Sequence, residues 1–148
     1  MDGYFWPTIF NEMIPMKKMN PVVHFEMPAD DKKRMADFYS NVFGWQTQMM
    51  GKEMGNYVVV STTETDKNGR PINPGAINGG FYEKQSAKPP HVPSVVIAVD
   101  NIEDHMRRIA DAGGKVIDQP VDIPGIGKYV SFTDTEGNRV SILQPLPM

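Results

Sequence analysis

The sequence predicts an α+β fold built from two tandem βαβββ units, and three observations predict it. Strand, helix cap and helix stop recur at one offset: His24 and Ser94, Asp30 and Asp100, and Gly44 and Gly114 are each 70 residues apart. Between cap and stop, both copies space their apolar residues three and four apart, the period of a helix with one buried face. After each helix come three short runs with strand-like residues, separated by turn formers. A repeat of this length is best recognised before any single element is assigned, because it constrains all of them together.

In the first unit, residues 20–83, Val22 to Met27 reads as a strand. Asp30-Asp31 then offers side-chain acceptors to the unpaired amides that open a helix. Met35, Phe38, Tyr39, Val42 and Phe43 form the apolar stripe, and Gly44 allows the left-handed closing residue. Trp45 to Met50, Tyr57 to Thr62 and Ala76 to Tyr82 are the three following strands. Thr63 to Gly75, with Asn68-Gly69-Arg70-Pro71 and Asn73-Pro74-Gly75, is a long turn-rich loop that is either a lid or a surface hairpin tip. Lys84 to Pro93, with three prolines, is an extended, exposed linker.

The second unit, residues 94–148, repeats the plan. Ser94 to Val99 is a strand, Asp100-Asn101 a cap, and Ile102, Met106, Ile109 and Ala110 a helix stripe stopped by Gly113-Gly114. Lys115 to Val121, Lys128 to Thr133 and Arg139 to Gln144 are strands. Asp134-Thr135-Glu136-Gly137-Asn138 joins the last two as a hairpin, its Asp and Gly spacing suiting a type I turn. Pro124-Gly125-Ile126-Gly127 is also a turn; with no helix after it to present amides, it is a poor phosphate cradle. Residues 1–19 lie outside the repeat. From Pro7, Ile9, Phe10, Met13 and Ile14 share one face of a short amphipathic helix that Pro15 ends. That helix covers the domain's own sheet or a second subunit, or the segment is an extension with little structure.

Composition narrows the function classes. The chain of 148 residues is long enough for one core without covalent staples. A net charge of -3 with no Lys/Arg block argues against nucleic acid, and the absence of cysteine excludes thiolate metal sites, disulfides and cysteine nucleophiles. No apolar run is long enough for a membrane span, and no secretory leader is recognisable, so a cytoplasmic location is expected. The 11 methionines read as soft core filler.

The segment Val23-His24-Phe25-Glu26-Met27-Pro28-Ala29-Asp30-Asp31, the run Phe38-Tyr39-Ser40-Asn41-Val42-Phe43-Gly44-Trp45, and the closing Phe132 to Val140 stretch resemble the vicinal oxygen chelate superfamily. That superfamily includes glyoxalase I, the bleomycin-resistance proteins and the extradiol dioxygenases. The resemblance implies a curved mixed sheet around a cleft, homodimers, and, in metal-using members, ligands on the first and last strands of both units. Carried over by motif, those ligand positions fall at His24, near Asn78, at Ser94 and at Ser141. Only His24 keeps a ligand side chain, whereas a catalytic divalent ion usually needs at least three imidazole or carboxylate donors.

With regular alternation, His24, Glu26, Asn78, Ser94 and Ser141 face the cleft, and Val23, Phe25, Val95 and Ile97 face the helices. His24 and Glu26 are the candidate catalytic pair. Asn78, Ser94, Ser141, Tyr57 and Tyr129 are candidate ligand contacts, with Trp45 as further aromatic area. His91 reads as a solvated linker histidine and His105 as a surface one. The expected function is a domain that binds a small molecule between the units without a metal. The alternative is a lyase, isomerase or dioxygenase-like enzyme using His24 and Glu26 with a non-standard zinc, nickel, manganese or iron site completed by His91 or a partner subunit. A third reading is an interaction module that docks its aromatic N-terminal segment on a partner.

Overall fold

A computed structural model describes residues 18–85 and 91–147. The expected amphipathic helix near residues 7–15 and the middle of the expected linker lie outside these residues. The first unit runs β1 (Val22–Ala29), α1 (Lys32–Phe43), β2 (Gln46–Met49), a 3-10 turn (Lys52–Met54), β3 (Val58–Ser61) and β4 (Asn78–Glu83). The second runs β5 (Ser94–Ala98), α2 (Ile102–Asp111), β6 (Lys115–Ile123), β7 (Gly127–Thr133) and β8 (Arg139–Pro145). Both units read βαβββ, and none of the described helices is long and apolar enough to cross a membrane.

All eight strands form one mixed sheet in the order β2-β3-β4-β1-β5-β8-β7-β6. The first strand of each unit meets its counterpart at the centre, antiparallel, with Glu26 opposite Ser94 and His24 opposite Val96. Inside each unit the first and last strands run parallel, His24 beside Asn78 and Val96 beside Ser141. The two units therefore pair within one chain.

The repeat reaches down to the helix caps. Asp31 accepts the Arg34 amide at 3.0 Å, and Asn101, 70 residues later, accepts the Asp104 amide at 2.9 Å. Gly44 closes α1 in the left-handed region, and Gly114 returns its amide to the Ile109 carbonyl after α2. The closing hairpin is built as its sequence suggested: one Asp134 carboxylate oxygen accepts the amides of Glu136 and Asn138, and Gly137 supplies the positive φ.

Each unit has its own small core on the helix side of the sheet. In the first, Ala29, Ala36, Val58, Val60 and Phe81 are buried, with Phe25, Met27, Met35, Tyr39 and Trp45 packed against them. In the second, Val99, Ile102, Val130 and Ile142 are buried, flanked by Ile97, Met106 and Ile109 among others. Phe25 and Ile97 thus take the helix-facing orientation that alternation requires. The α1 stripe departs from expectation: Phe38, Val42 and Phe43 are more than half exposed, and Met35, Ala36 and Tyr39 are the α1 residues that pack in the core. Trp45 also departs, standing outside β2 and packing on Phe25, Tyr39 and Phe43 rather than lining the opposite face. The 64–70 stretch is an exposed hairpin tip, with Asp66 accepting the Asn68 and Arg70 amides.

Candidate functional site

On the helix-free face, one carboxyl group gathers side chains from both units. Glu26, on central strand β1, accepts a hydrogen bond from the Tyr129 hydroxyl at 2.6 Å and one from Tyr57 at 3.3 Å. Tyr57 belongs to the first unit, just ahead of β3, and Tyr129 to the second, on β7. Strands β1 and β7 are three places apart in the sheet, about 14 Å if it were flat. Side chains rooted that far apart meet only if the sheet curls toward its helix-free face, which makes that face a cleft.

Two glycines explain how Tyr57 fits. A Cβ on Gly80 would lie 2.0 Å from the Tyr57 hydroxyl, and one on Gly79 would lie 2.5 Å from the Phe25 ring. Successive residues of β4 therefore seat an aromatic ring on opposite faces of the sheet. A Gly-Gly pair inside a strand signals such close approach, and it was the available clue to this pairing.

The hydrogen bonds around Glu26 have one consistent direction. His24 Nε2 lies 3.0 Å from the Tyr57 hydroxyl; when that hydroxyl gives its proton to Glu26 at 3.3 Å, His24 is the donor to it, in its Nε2–H tautomer. On the other side, Ser141 donates to the Tyr129 hydroxyl at 2.8 Å, Ser131 lies 2.9 Å from Ser141, and Arg139 Nη2 lies 3.5 Å from Ser131. With His24 in that tautomer, every proton points inward, toward the two oxygens of Glu26. Chains of this kind polarise one another and strengthen each bond.

The protonation states follow from burial. Desolvation of the imidazolium lowers His24 to about 4, so the ring is neutral at physiological pH. Burial pushes Glu26 up from the usual carboxylate range, while the hydrogen bonds from Tyr129 and Tyr57 and the charge of Arg139 pull it back. Burial, reinforced by the Glu26 charge, raises both tyrosines, so they remain protonated donors.

Of the residues expected in the site, His24, Glu26, Tyr57, Tyr129 and Ser141 converge. Asn78 lies beside His24, but its carboxamide oxygen accepts the Thr62 amide at 2.8 Å and anchors the end of β3. Ser94 donates to the Arg139 carbonyl at 2.8 Å and ties β5 to β8. Ser131 and Arg139 were missed, although each stands two residues from an expected site residue on the same strand, Tyr129 and Ser141 respectively, and so shares its face. His91 is corrected: it is half-buried against Tyr82, with Nδ1 buried and without a hydrogen-bond partner among the described residues and Nε2 close to the Gln85 carbonyl.

Among the described residues no three His, Cys, Asp or Glu side chains converge as a metal set. His24 and Glu26 supply one imidazole and one carboxylate, and the hydroxyls beside them are engaged with one another. This donor set is smaller than the three protein ligands of a usual catalytic zinc site.

The model of the Glyoxalase/Bleomycin resistance protein/Dioxygenase superfamily matches residues 22–142. The chain belongs to this superfamily. Its relatives include the Mycobacterium tuberculosis protein CFP32, 30% identical over 123 residues, covering 82% of this chain and 43% of that one. The anthracycline biosynthesis protein DnrV of Streptomyces peucetius is 28% identical over 131 residues, covering 80% and 44%. The chain thus spans less than half the length of these two curated relatives. Among solved structures, methylmalonyl-CoA epimerase from Mycobacterium tuberculosis superposes with a TM-score of 0.61 at 12% identity, covering 90% of this chain and 95% of that one. That likeness shows the superfamily fold, a mixed eight-stranded sheet with two helices.

Proposed function

We propose that this superfamily domain binds a small, uncharged molecule in its cleft without a metal ion. The carrying observation is the convergence on Glu26: tyrosines from both units and a one-way chain of donors present a partly desolvated carboxyl group as an acceptor. A ligand N–H or O–H would meet the remaining lone pairs of Glu26, and Val59 and Val121, exposed beside the cleft strands, suit an apolar body. The two-donor composition of the site supports metal-free recognition.

The test is a thermal-shift screen of uncharged hydrogen-bond donors, run in chelator and then with zinc, nickel, manganese or iron. Hits should survive the chelator and vanish in Glu26→Gln. Stoichiometric metal uptake that disappears in His24→Ala would overturn the reading.

A second reading, an enzyme of the lyase, isomerase or dioxygenase-like kind, draws on the raised Glu26 carboxyl and the hydroxyl chain leading to it, which suit proton transfer. Under that reading Glu26 exchanges a proton with the substrate and His24 positions Tyr57. His24→Ala and Glu26→Gln should then both abolish turnover of a substrate that still binds.

A further inference from the structure

The cleft holds a second ionic group, set across from the first. Register puts Ser94 opposite Glu26 and Val96 beside Ser141, so Ser94, two residues before Val96, stands beside Arg139, two before Ser141. The Ser94 hydroxyl, bonded to the Arg139 carbonyl at 2.8 Å, marks the same row across the sheet. Glu26 and Arg139 are therefore two strands apart in that row, their Cα atoms about 10 Å from each other. Arg139 shares the face of Ser141 and brings Nη2 to 3.5 Å from Ser131, which bonds to Ser141 on that face. Its charge acts on Glu26. Between the carboxyl and the guanidinium, the intervening strand β5 carries only the short side chain of Ser94. Tyr82, one alternation beyond Gly80 on β4, adds an aromatic ring to this end of the cleft. Burial raises its hydroxyl, Arg139 lowers it and Glu26 raises it, so the ring lies within the influence of both charges.

Resting on the reading of this cleft as a small-molecule site, we infer that its ligand is a hydroxy-carbonyl compound, whose hydroxyl is donated to Glu26 and whose carbonyl oxygen is held by Arg139. The two ends follow from the chemistry of the two groups. A carboxylate offers only lone pairs, and Glu26 takes donors from both tyrosines already, so it selects an O–H. A guanidinium offers only N–H groups, five in one plane, so Arg139 selects an oxygen and can hold Ser131 as well. Neutrality of the ligand follows from the pair. With one charge of each sign already in the row, a carboxylate on Arg139 would face Glu26, and an ammonium on Glu26 would face Arg139, in a partly buried site where salt screens poorly. A zwitterion would match both, but it must shed the hydration of two charges. Tyr82 gives a flat ligand a ring to lie against.

The test is calorimetry on the full chain with paired compounds. The meta and para isomers of hydroxyacetophenone are compared with those of ethylphenol, which keep the ring and the hydroxyl but lack the carbonyl. At least one hydroxyacetophenone should bind about tenfold tighter than its ethylphenol, the scale of a hydrogen bond to a charged group. That advantage should vanish in Arg139→Gln with ethylphenol affinity unchanged, and Arg139→Lys, which keeps the charge, should retain part of it. Both compounds should weaken together in Glu26→Gln. Equal affinity of the paired compounds, or an advantage that persists in Arg139→Gln, would overturn the inference, while Glu26-dependent binding would leave the metal-free cleft standing. Tighter binding of para-hydroxybenzoate or para-(aminomethyl)benzoate would overturn it in favour of a charged ligand, and no binding of any of these compounds at millimolar concentration would overturn it outright. Failure of the underlying reading looks different: binding then ignores Glu26→Gln or requires added metal.

Discussion

The two units share a plan down to the residue that caps each helix, yet they differ at the centre of the sheet. Where the first unit places His24 and Glu26 on its opening strand, the second places Ser94 and Val96 at the same offset. Beside them, β4 offers Gly79 and Gly80, whereas the corresponding positions of β8, counted from the parallel registers, are Val140 and Ser141. The first unit makes room for an aromatic ring over its backbone; the second supplies hydroxyls that bond to one. Duplication thus preserved what every βαβββ unit needs to fold, and the asymmetry is concentrated where chemistry would occur.

The strongest way to break this comparison is to make β4 resemble β8. Gly80→Ala puts a methyl group into the Tyr57 ring, with neighbouring strands on both sides to prevent retreat. It should cost about 3 kcal/mol, at the upper end for overpacking, and detach Tyr57 from Glu26. Chemical denaturation and the near-ultraviolet tyrosine signal would show it; a neutral substitution would mean that the ring does not sit over Gly80.

Next comes the acid–base asymmetry. His24 is lowered to about 4 from an ordinary value of 6.5, so the unfolded chain takes up the proton first. Stability should be fully present above pH 6.5 and decline as the pH falls toward 4, by about 2 kcal/mol after discounting the partly exposed ring. Glu26 acts in the opposite sense: its raised carboxyl favours the fold when protonated, and that contribution is lost as the pH rises above the ordinary 4.5. Melting temperatures across pH 4 to 8 should therefore lose their acid limb in His24→Gln, while Glu26→Gln lifts the neutral side relative to the acid side.

A smaller effect sharpens the second unit's part. Ser141→Ala and Ser131→Ala each interrupt the chain that ends on Tyr129 and should cost about 1 kcal/mol. The double variant should cost less than the sum, because both act through one chain. The smallest effect is the control: Asp31→Ala and Asn101→Ala remove equivalent caps and should each cost about 0.5–1 kcal/mol, the same within error in both units.

Much of this protein was legible without coordinates because its signals are local. A helix cap, a closing glycine and an Asp-Gly hairpin work through residues two to four apart, so the offset of 70 exposed both units and even the paired caps. Alternation along a strand likewise put His24 and Glu26 on one face. What no local rule could decide was which distant side chains meet. The contact of Tyr129 with Glu26 spans 103 residues and three strands, and it depends on the curl of the whole sheet. The same holds for Asn78 and Ser94, which alternation assigned to the cleft face and which the register engages with Thr62 and with the Arg139 carbonyl. It holds also for Phe38, Val42 and Phe43, whose helical spacing promised burial, whereas the core takes up Met35, Ala36 and Tyr39 from the same helix. The sequence by itself determined the elements and their faces, because those follow from the period of the backbone. Only the tertiary structure decided that Glu26 is the acceptor at the centre, because that depends on how strands far apart in the chain are ordered, registered and bent.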